Sequence, residues 1–262
     1  MKKIEKFSTA GITFELFFPR CEHFSQKNTI EKLLHEWMRG YVVDTEVKNK
    51  PDYKIHFIFG DESITGSHMT PKKDRQKYSI ELFQQKKSNI YVRISISLEE
   101  FFIILSMIIT LHFLLHKSGL ILHASSTILP SESAAIFLGK NGAGKSTILK
   151  LLYPVYKPLS DDLVYIIKKR GKFYVGSSIR TEKESWFKKT NEYYPLDSIF
   201  IIKQTAKNNI IQLSKESKYF DVLFKQLRLD ISNDTKKTMF KLFAGVSIKQ
   251  LNFNLNILSL EG

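Results

Sequence analysis

Gly139-Lys140-Asn141-Gly142-Ala143-Gly144-Lys145-Ser146 fits the pattern G-x-x-x-x-G-K-S/T over its whole length. An unbroken apolar run, Ala134–Leu138, precedes it, and Thr147-Ile148-Leu149-Lys150-Leu151-Leu152 can open a helix behind it. Strand, glycine-rich loop and helix in that order are what a phosphate cradle requires. Gly142 and Gly144 let the backbone curl, so that the amides of the loop from Gly139 through Asn141 and Ala143 converge on one anion. The helix N-terminus, with Ser146 and Thr147 in its first turn, adds its dipole. Lys145 has the reach for β- and γ-phosphates, and the Ser146 hydroxyl is a hard oxygen ligand for Mg²⁺. The chemistry expected is binding of a nucleoside triphosphate, with ATP and Mg²⁺ as cofactors.

A phosphate cradle does not name a reaction; an acidic element must do that. Asp161-Asp162 follows the motif closely, after a Tyr153-Pro154-Val155-Tyr156-Lys157-Pro158 connection. Lys157-Pro158-Leu159-Ser160 before it is not the apolar run that precedes the acid of a mechanical ATPase, and there is no Leu-Ser-Gly-Gly signature of transporter ATPases. Paired carboxylates near such a loop suit a small kinase. One helps hold Mg²⁺, and the other accepts the proton of an incoming hydroxyl. The plainer reading is that the pair caps a turn. His123 lies on the strand before the loop's strand, where it either reaches the phosphate site or sits as a satisfied core histidine.

The elements that must position these residues fall into two groups. Residues 1–97 read as a small α+β domain: a strand at Ile12–Phe18, a helix at Asn28–Met38, an alternating strand at Tyr53–Phe59, a polar loop from Asp61 to Arg75, and a hairpin of Tyr78–Gln84 and Ile90–Ile96. Residues 98–262 read as the catalytic domain. It opens with an apolar helix over 98–117, capped by Ser97 and Glu100 and stopped at Gly119. Leu120–Ala124 with Thr127–Leu129 reads as a strand, and Ala134–Leu138 as a buried one. Hairpins are expected at Val164–Ile167 with Phe173–Val175 and at Ser198–Lys203 with Asn209–Leu213, and helices at Lys218–Leu229 and Thr235–Lys249. The fold class expected is α/β.

Composition narrows the class further. The chain has 262 residues, 43% of them hydrophobic and 13% aromatic, which excludes long-range disorder. A single cysteine, Cys21, excludes an internal disulfide framework and fits a cytoplasmic setting. Lys and Arg number 40 against 26 Asp and Glu, a net charge of +14, which favours anionic partners or else a plain Lys-rich surface. The N-terminus lacks the unbroken apolar core of a signal peptide. Phe101–Leu115, broken by Ser106, Thr110 and His112, is shorter than the roughly 20 residues a bilayer span needs, so no membrane role is expected. His112 and His116 have the spacing of zinc-protease histidines, but Phe113 stands where the catalytic glutamate belongs, so they are read as packing or helix-end residues. The aromatic pairs Phe101-Phe102 and Tyr193-Tyr194 carry no RNA-binding signature, and no nucleic-acid partner is expected.

Leu122-His123-Ala124-Ser125-Ser126, the glycine-rich loop and Ser160-Asp161-Asp162 follow one another in the order and approximate spacing of HPr kinase/phosphorylase. The chain resembles a divergent C-terminal kinase domain of that family over about residues 119–167, and its fold would then be similar to phosphoenolpyruvate carboxykinase. The resemblance implies phosphoryl transfer from ATP to a serine hydroxyl of a peptide or small protein. It also implies roles: Asp161 as general base, Asp162 supporting the metal, His123 as their histidine partner, with Lys145 and Ser146 on the phosphates and Mg²⁺. The family's glycine-rich signature after the aspartates is absent; Val175-Gly176-Ser177-Ser178-Ile179-Arg180-Thr181-Glu182 stands there instead. That departure speaks against phosphorylase activity and the usual hexamer, while leaving a homo-oligomer open. Arg180 is a candidate phosphate contact, against the plainer reading of a surface arginine. The N-terminal domain is closer to the stand-alone HPr-kinase-like proteins of peptide natural-product pathways, some of which phosphorylate the C-terminal serine of lasso-peptide precursors. Alternatives are a kinase of a free small molecule such as serine, and a non-catalytic, nucleotide-dependent peptide-binding module.

Overall fold

The structure is a computed structural model, and it describes residues 2–9, 12–18, 51–58, 80–94, 105–106, 108–110, 119–153, 155–177, 187, 190–227 and 233–254. The helix expected at Asn28–Met38, the loop at 61–75, most of the 98–117 segment, Cys21, His112, His116 and Arg180 lie outside these residues. By packing, the chain divides into Met1–Leu111 and His112–Gly262. The sequence reading draws its line near 97, ahead of the 98–117 segment. Of that segment, Leu105, Ser106 and Ile108–Thr110 are helical. No helix among the described residues is long and apolar enough to cross a membrane.

In the first unit, β1 (Lys2–Thr9), β2 (Ile12–Phe18), β3 (Tyr53–Ile58), β4 (Ile80–Lys86) and β5 (Asn89–Ile94) form a sheet in the order β1-β2-β3-β5-β4. β2, β3 and β5 run parallel, and the outer pairs are antiparallel. Alternate residues of the inner strands are buried, among them Phe14, Leu16, Ile55, Phe57, Ile90 and Val92. That period is the one a strand imposes on a sheet covered on one face. β1 was not anticipated from its lysine-rich sequence. It is held by antiparallel pairing to β2 and by Phe7, which stacks on Phe14 at 5.2 Å between ring centres.

The second unit is built on β6 (Leu120–His123), β7 (Ser125–Ile128), β8 (Ala134–Leu138), β9 (Lys157–Ser160), β10 (Leu163–Lys169), β11 (Lys172–Ser177), β12 (Tyr193–Gln204), β13 (Asn209–Gln212) and β14 (Ser247–Phe253). Three helices accompany them among the described residues: α1 (Lys145–Leu152), α2 (Ser217–Phe224) and α3 (Asn233–Gly245). The sheet runs β6-β10-β11-β12-β8-β7-β9, with β14 on β12 and β13 on β14. β8, β12 and β14 are parallel to one another. All of β8 is buried. Its Ala135 and Phe137 pack with Ile148, Leu149 and Leu152 of α1, whereas Ile136 and Leu138 pack with Met239, Leu242 and Phe243 of α3. A strand covered on both faces reads as a continuous apolar run, which is why this one was recognisable. Ile136→Ala should therefore lower stability by about 2–5 kcal/mol, because the two-sided packing leaves no water or loop to fill the hole. Urea unfolding with an unchanged m-value would measure it.

Three sequence expectations are corrected here. Ser198–Lys203 and Asn209–Leu213 do not form a hairpin: β14 lies between them, parallel to β12 and antiparallel to β13. The buried residues of β12, Ile199, Phe200 and Ile202, need a neighbour that is buried too, and β14 supplies Ile248, Leu251 and Phe253 where β13 is mostly exposed. The helix expected to run to Lys249 stops at Gly245, so Ser247-Ile248-Lys249 begins a strand. Finally, Leu120–Leu129 is two strands parted at Ala124: β6 pairs with β10, and β7 with β8 and β9. The expected hairpin of β10 and β11 is present. Its turn residues Arg170 and Gly171 have φ of 49° and 81°, the left-handed pair that a tight two-residue turn uses.

Candidate active site

The site lies where β8 ends and α1 begins. Gly142 and Gly144 take φ of 79° and 97°, conformations that side-chain-bearing residues adopt only at a cost. Helical bonding starts at once, with the Ile148 amide donating to the Gly144 carbonyl at 2.8 Å. Lys145, although charged, is only 8% exposed. Its Nζ donates to the carbonyls of Gly139 at 3.0 Å and Lys140 at 3.3 Å, so the ammonium is folded beneath its own loop. The Ser125 hydroxyl on β7 donates to the Lys145 carbonyl at 3.2 Å and ties the helix start to the neighbouring strand.

The carboxylates arrive from the other side. β9 pairs with β7, so the chain emerging at Asp161 sits beside α1. The segment before the acid is a strand, buried from Pro158 to Ser160. The Ser146 Oγ donates to Asp161 Oδ2 at 2.8 Å, and the Asp162 amide donates to Asp161 Oδ1 at 3.1 Å. Asp162 takes a left-handed φ of 75°. Its carbonyl accepts from the Ala124 amide at 3.2 Å, and its carboxylate lies 3.4 Å from His123 Nε2. His123 reaches this place through β10, opposite Leu163.

A cavity of about 450 Å³ opens between these groups. His123, Asn141, Gly142, Gly144, Lys145, Ser146, Thr147, Asp161 and Asp162 all line it, and each of them was singled out in the sequence. Gly139 and Ala143 do not. A Cβ on Gly139 would stand 2.7 Å from that of Ala143, so this glycine lets the loop close on itself. Gln204, at the end of β12, lines the cavity and was missed. No local signal marked it: it stands at the carboxyl end of a strand parallel to β8, where open parallel sheets bind their ligands, and that pairing is made far along the chain. Ser125 was quoted only within a longer run, with no role given to it.

Among the described residues, no three His, Cys, Asp or Glu side chains gather into a metal-binding group. The oxygens present do fit Mg²⁺. The Ser146 hydroxyl and an Asp161 carboxylate oxygen meet at the helix start, and this ion commonly takes one or two protein oxygens together with phosphate oxygens and water.

These features define a strand–loop–helix anion cradle faced by two carboxylates, an arrangement suited to handling phosphate groups. The model of the family described as SynChlorMet cassette protein ScmC matches residues 91–221, half of the chain, and the chain belongs to that family. No curated protein matches it. Among solved structures it is similar to the Hpr(Ser) kinase/phosphatase from Coxiella burnetii, at 8% identity and a TM-score of 0.30, over 51% of this chain and 85% of that one. The family shown carries a different name from the one whose resemblance is read in the sequence.

Proposed function

We propose that the chain is an ATP- and Mg²⁺-dependent phosphotransferase that carries the γ-phosphoryl group to a serine hydroxyl of a peptide or small protein. The observation that carries the reading is the meeting of Lys145, Ser146, Asp161 and Asp162 on one cavity at the start of α1. Loop amides and Lys145 would grip the phosphates. Ser146 with a carboxylate would hold Mg²⁺, which when bound neutralises charge on the β- and γ-phosphate oxygens. The remaining carboxylate would take the acceptor's proton. Such catalysis is positioning plus charge stabilisation, with little covalent work for the protein. A favoured acceptor is the C-terminal serine of a ribosomal peptide precursor of the lasso-peptide kind. The net charge of +14 would favour an acidic stretch in such a peptide, and a cassette protein is by description one of a set.

The test is incubation with MgATP and three acceptors in parallel: a peptide ending in serine, the same peptide ending in alanine, and free serine. Phosphate addition is read by mass spectrometry. The expected result is phosphorylation of the first alone. Transfer to free serine would replace the peptide substrate by a small molecule. Tight ATP binding with no transfer and peptide capture would favour a recognition module.

A further inference from the structure

The phosphate cavity is flanked by groups of different charge. In the sheet, β8 has β7 and then β9 on one side and β12 on the other. Asp161 and Asp162 enter from the β9 side, and Gln204 enters from β12. Lys145 is the only lysine or arginine among the described residues that line the cavity, and its ammonium is bound to two carbonyls of the loop. A polyphosphate seated at the start of α1 therefore meets acid on one flank and a neutral carboxamide on the other. Ionised carboxylates only accept hydrogen bonds, so they hold phosphate through a metal ion; a carboxamide nitrogen donates to a phosphate oxygen directly.

The backbone aims Gln204 at this place. Ile201 stands opposite Leu138, the last residue of β8, so the end of β12 runs on beside the glycine-rich loop. That end is held from behind. Gln204 pairs with Phe253 on β14, the Thr205 amide donates to the Phe253 carbonyl at 2.8 Å, and the Thr205 hydroxyl donates to the Lys207 carbonyl at 2.7 Å. The Gln204 side chain then lies across Gly144, with Nε2 2.9 Å from the point that a Cβ there would occupy. The bare Cα of Gly144 thus has a second use beside its left-handed φ of 97°. It leaves open the path by which the carboxamide reaches the helix start, where loop amides and the helix dipole favour an anion.

We infer that Gln204 is a phosphate-binding residue of the site, its Nε2 donating to an oxygen of the two terminal phosphates on the flank opposite the carboxylates. The inference deepens the phosphotransferase reading above and rests on it for the ligand.

The experiment titrates the full chain with ATP and with inorganic pyrophosphate by calorimetry, in the wild type, Gln204→Ala and Gln204→Glu. The side chain is exposed, so neither substitution opens the core, and thermal melts of the variants should match the wild type. Gln204→Ala should weaken both ligands by the same factor, about 10-fold or more, the scale of one hydrogen bond to a charged group. Gln204→Glu has nearly the same shape but replaces the donor by a negative charge, so it should weaken both further. That excess over alanine should shrink as salt is raised, because charge at an exposed position is screened. Loss of ATP affinity with pyrophosphate affinity unchanged would place Gln204 on the nucleoside and overturn the inference, as would wild-type affinity for both ligands in Gln204→Glu. A wild-type chain that binds both ligands but transfers no phosphate to any acceptor would remove the phosphotransferase reading and leave the Gln204 contact standing. A wild-type chain that binds neither would remove both.

Discussion

Lys145→Ala is expected to lower turnover by about 10²–10³-fold, the range for losing one preorganised donor to a transition state. It should also weaken ATP binding by about 10–100-fold. Two physical facts set this scale. A hydrogen bond to a charged group contributes about 1.5–3 kcal/mol, and every 1.4 kcal/mol is tenfold in affinity. Lys145 is shielded from water, so its charge is felt more strongly by phosphate than an exposed lysine's would be. The ammonium is engaged by the carbonyls of Gly139 and Lys140. Binding therefore exchanges those partners for phosphate oxygens, and the gain is a difference between two sets of bonds. Lys145→Arg should not restore activity, because a planar guanidinium cannot turn its donors into the narrow space beneath the loop as an ammonium can. Calorimetric titration with MgATP, beside phosphate release, measures both effects. Wild-type affinity in the alanine variant would show that the loop is not an anion cradle.

Much of this site was legible because its signals are local. The apolar run Ala134–Leu138, the glycines and Lys145-Ser146 are contiguous, and each is forced by backbone geometry within a few residues. The β10–β11 hairpin was legible for the same reason, since Arg170-Gly171 carries the turn. What could not be read depends on partners far along the chain. That β14 would come between β12 and β13 is decided by which strand can cover Ile199, Phe200 and Ile202, not by any turn between them. Gln204 enters the site only because β12 runs parallel to β8, its Ile201 standing opposite Leu138. The different placements of Asp161 and Asp162 were illegible in a stricter sense. Two identical side chains in sequence carry no mark of which is which. The positive φ at Asp162 distinguishes them, and that torsion is fixed by contacts with Ala124 and His123.

The same reasoning separates two glycines that look alike in the motif. Gly144→Ala should destabilise the chain by about 2–5 kcal/mol and abolish ATP binding. It combines a left-handed backbone, costing about 1–2 kcal/mol for a residue with a Cβ, with overpacking of about 1–3 kcal/mol. The added methyl would stand 2.8 Å from Phe253 Cζ and 2.9 Å from Gln204 Nε2. Gln204 can swing away, being the end of a flexible side chain. Phe253 cannot, because it is fully buried against the α1 side of the sheet with Ile148, Leu149 and Phe137. The strain must then be relieved by the loop, which moves the amides that face the anion. Gly142→Ala shares the positive φ but meets nothing within 4 Å. It should cost only about 1–2 kcal/mol of backbone strain and leave a measurable affinity for ATP. Urea unfolding of the two variants side by side, with nucleotide titrations on the folded proteins, tests the contrast. Equal losses would mean that Phe253 does not wall the loop, and a Gly144→Ala chain that still bound ATP normally would mean that the amides of this turn do not hold the phosphates.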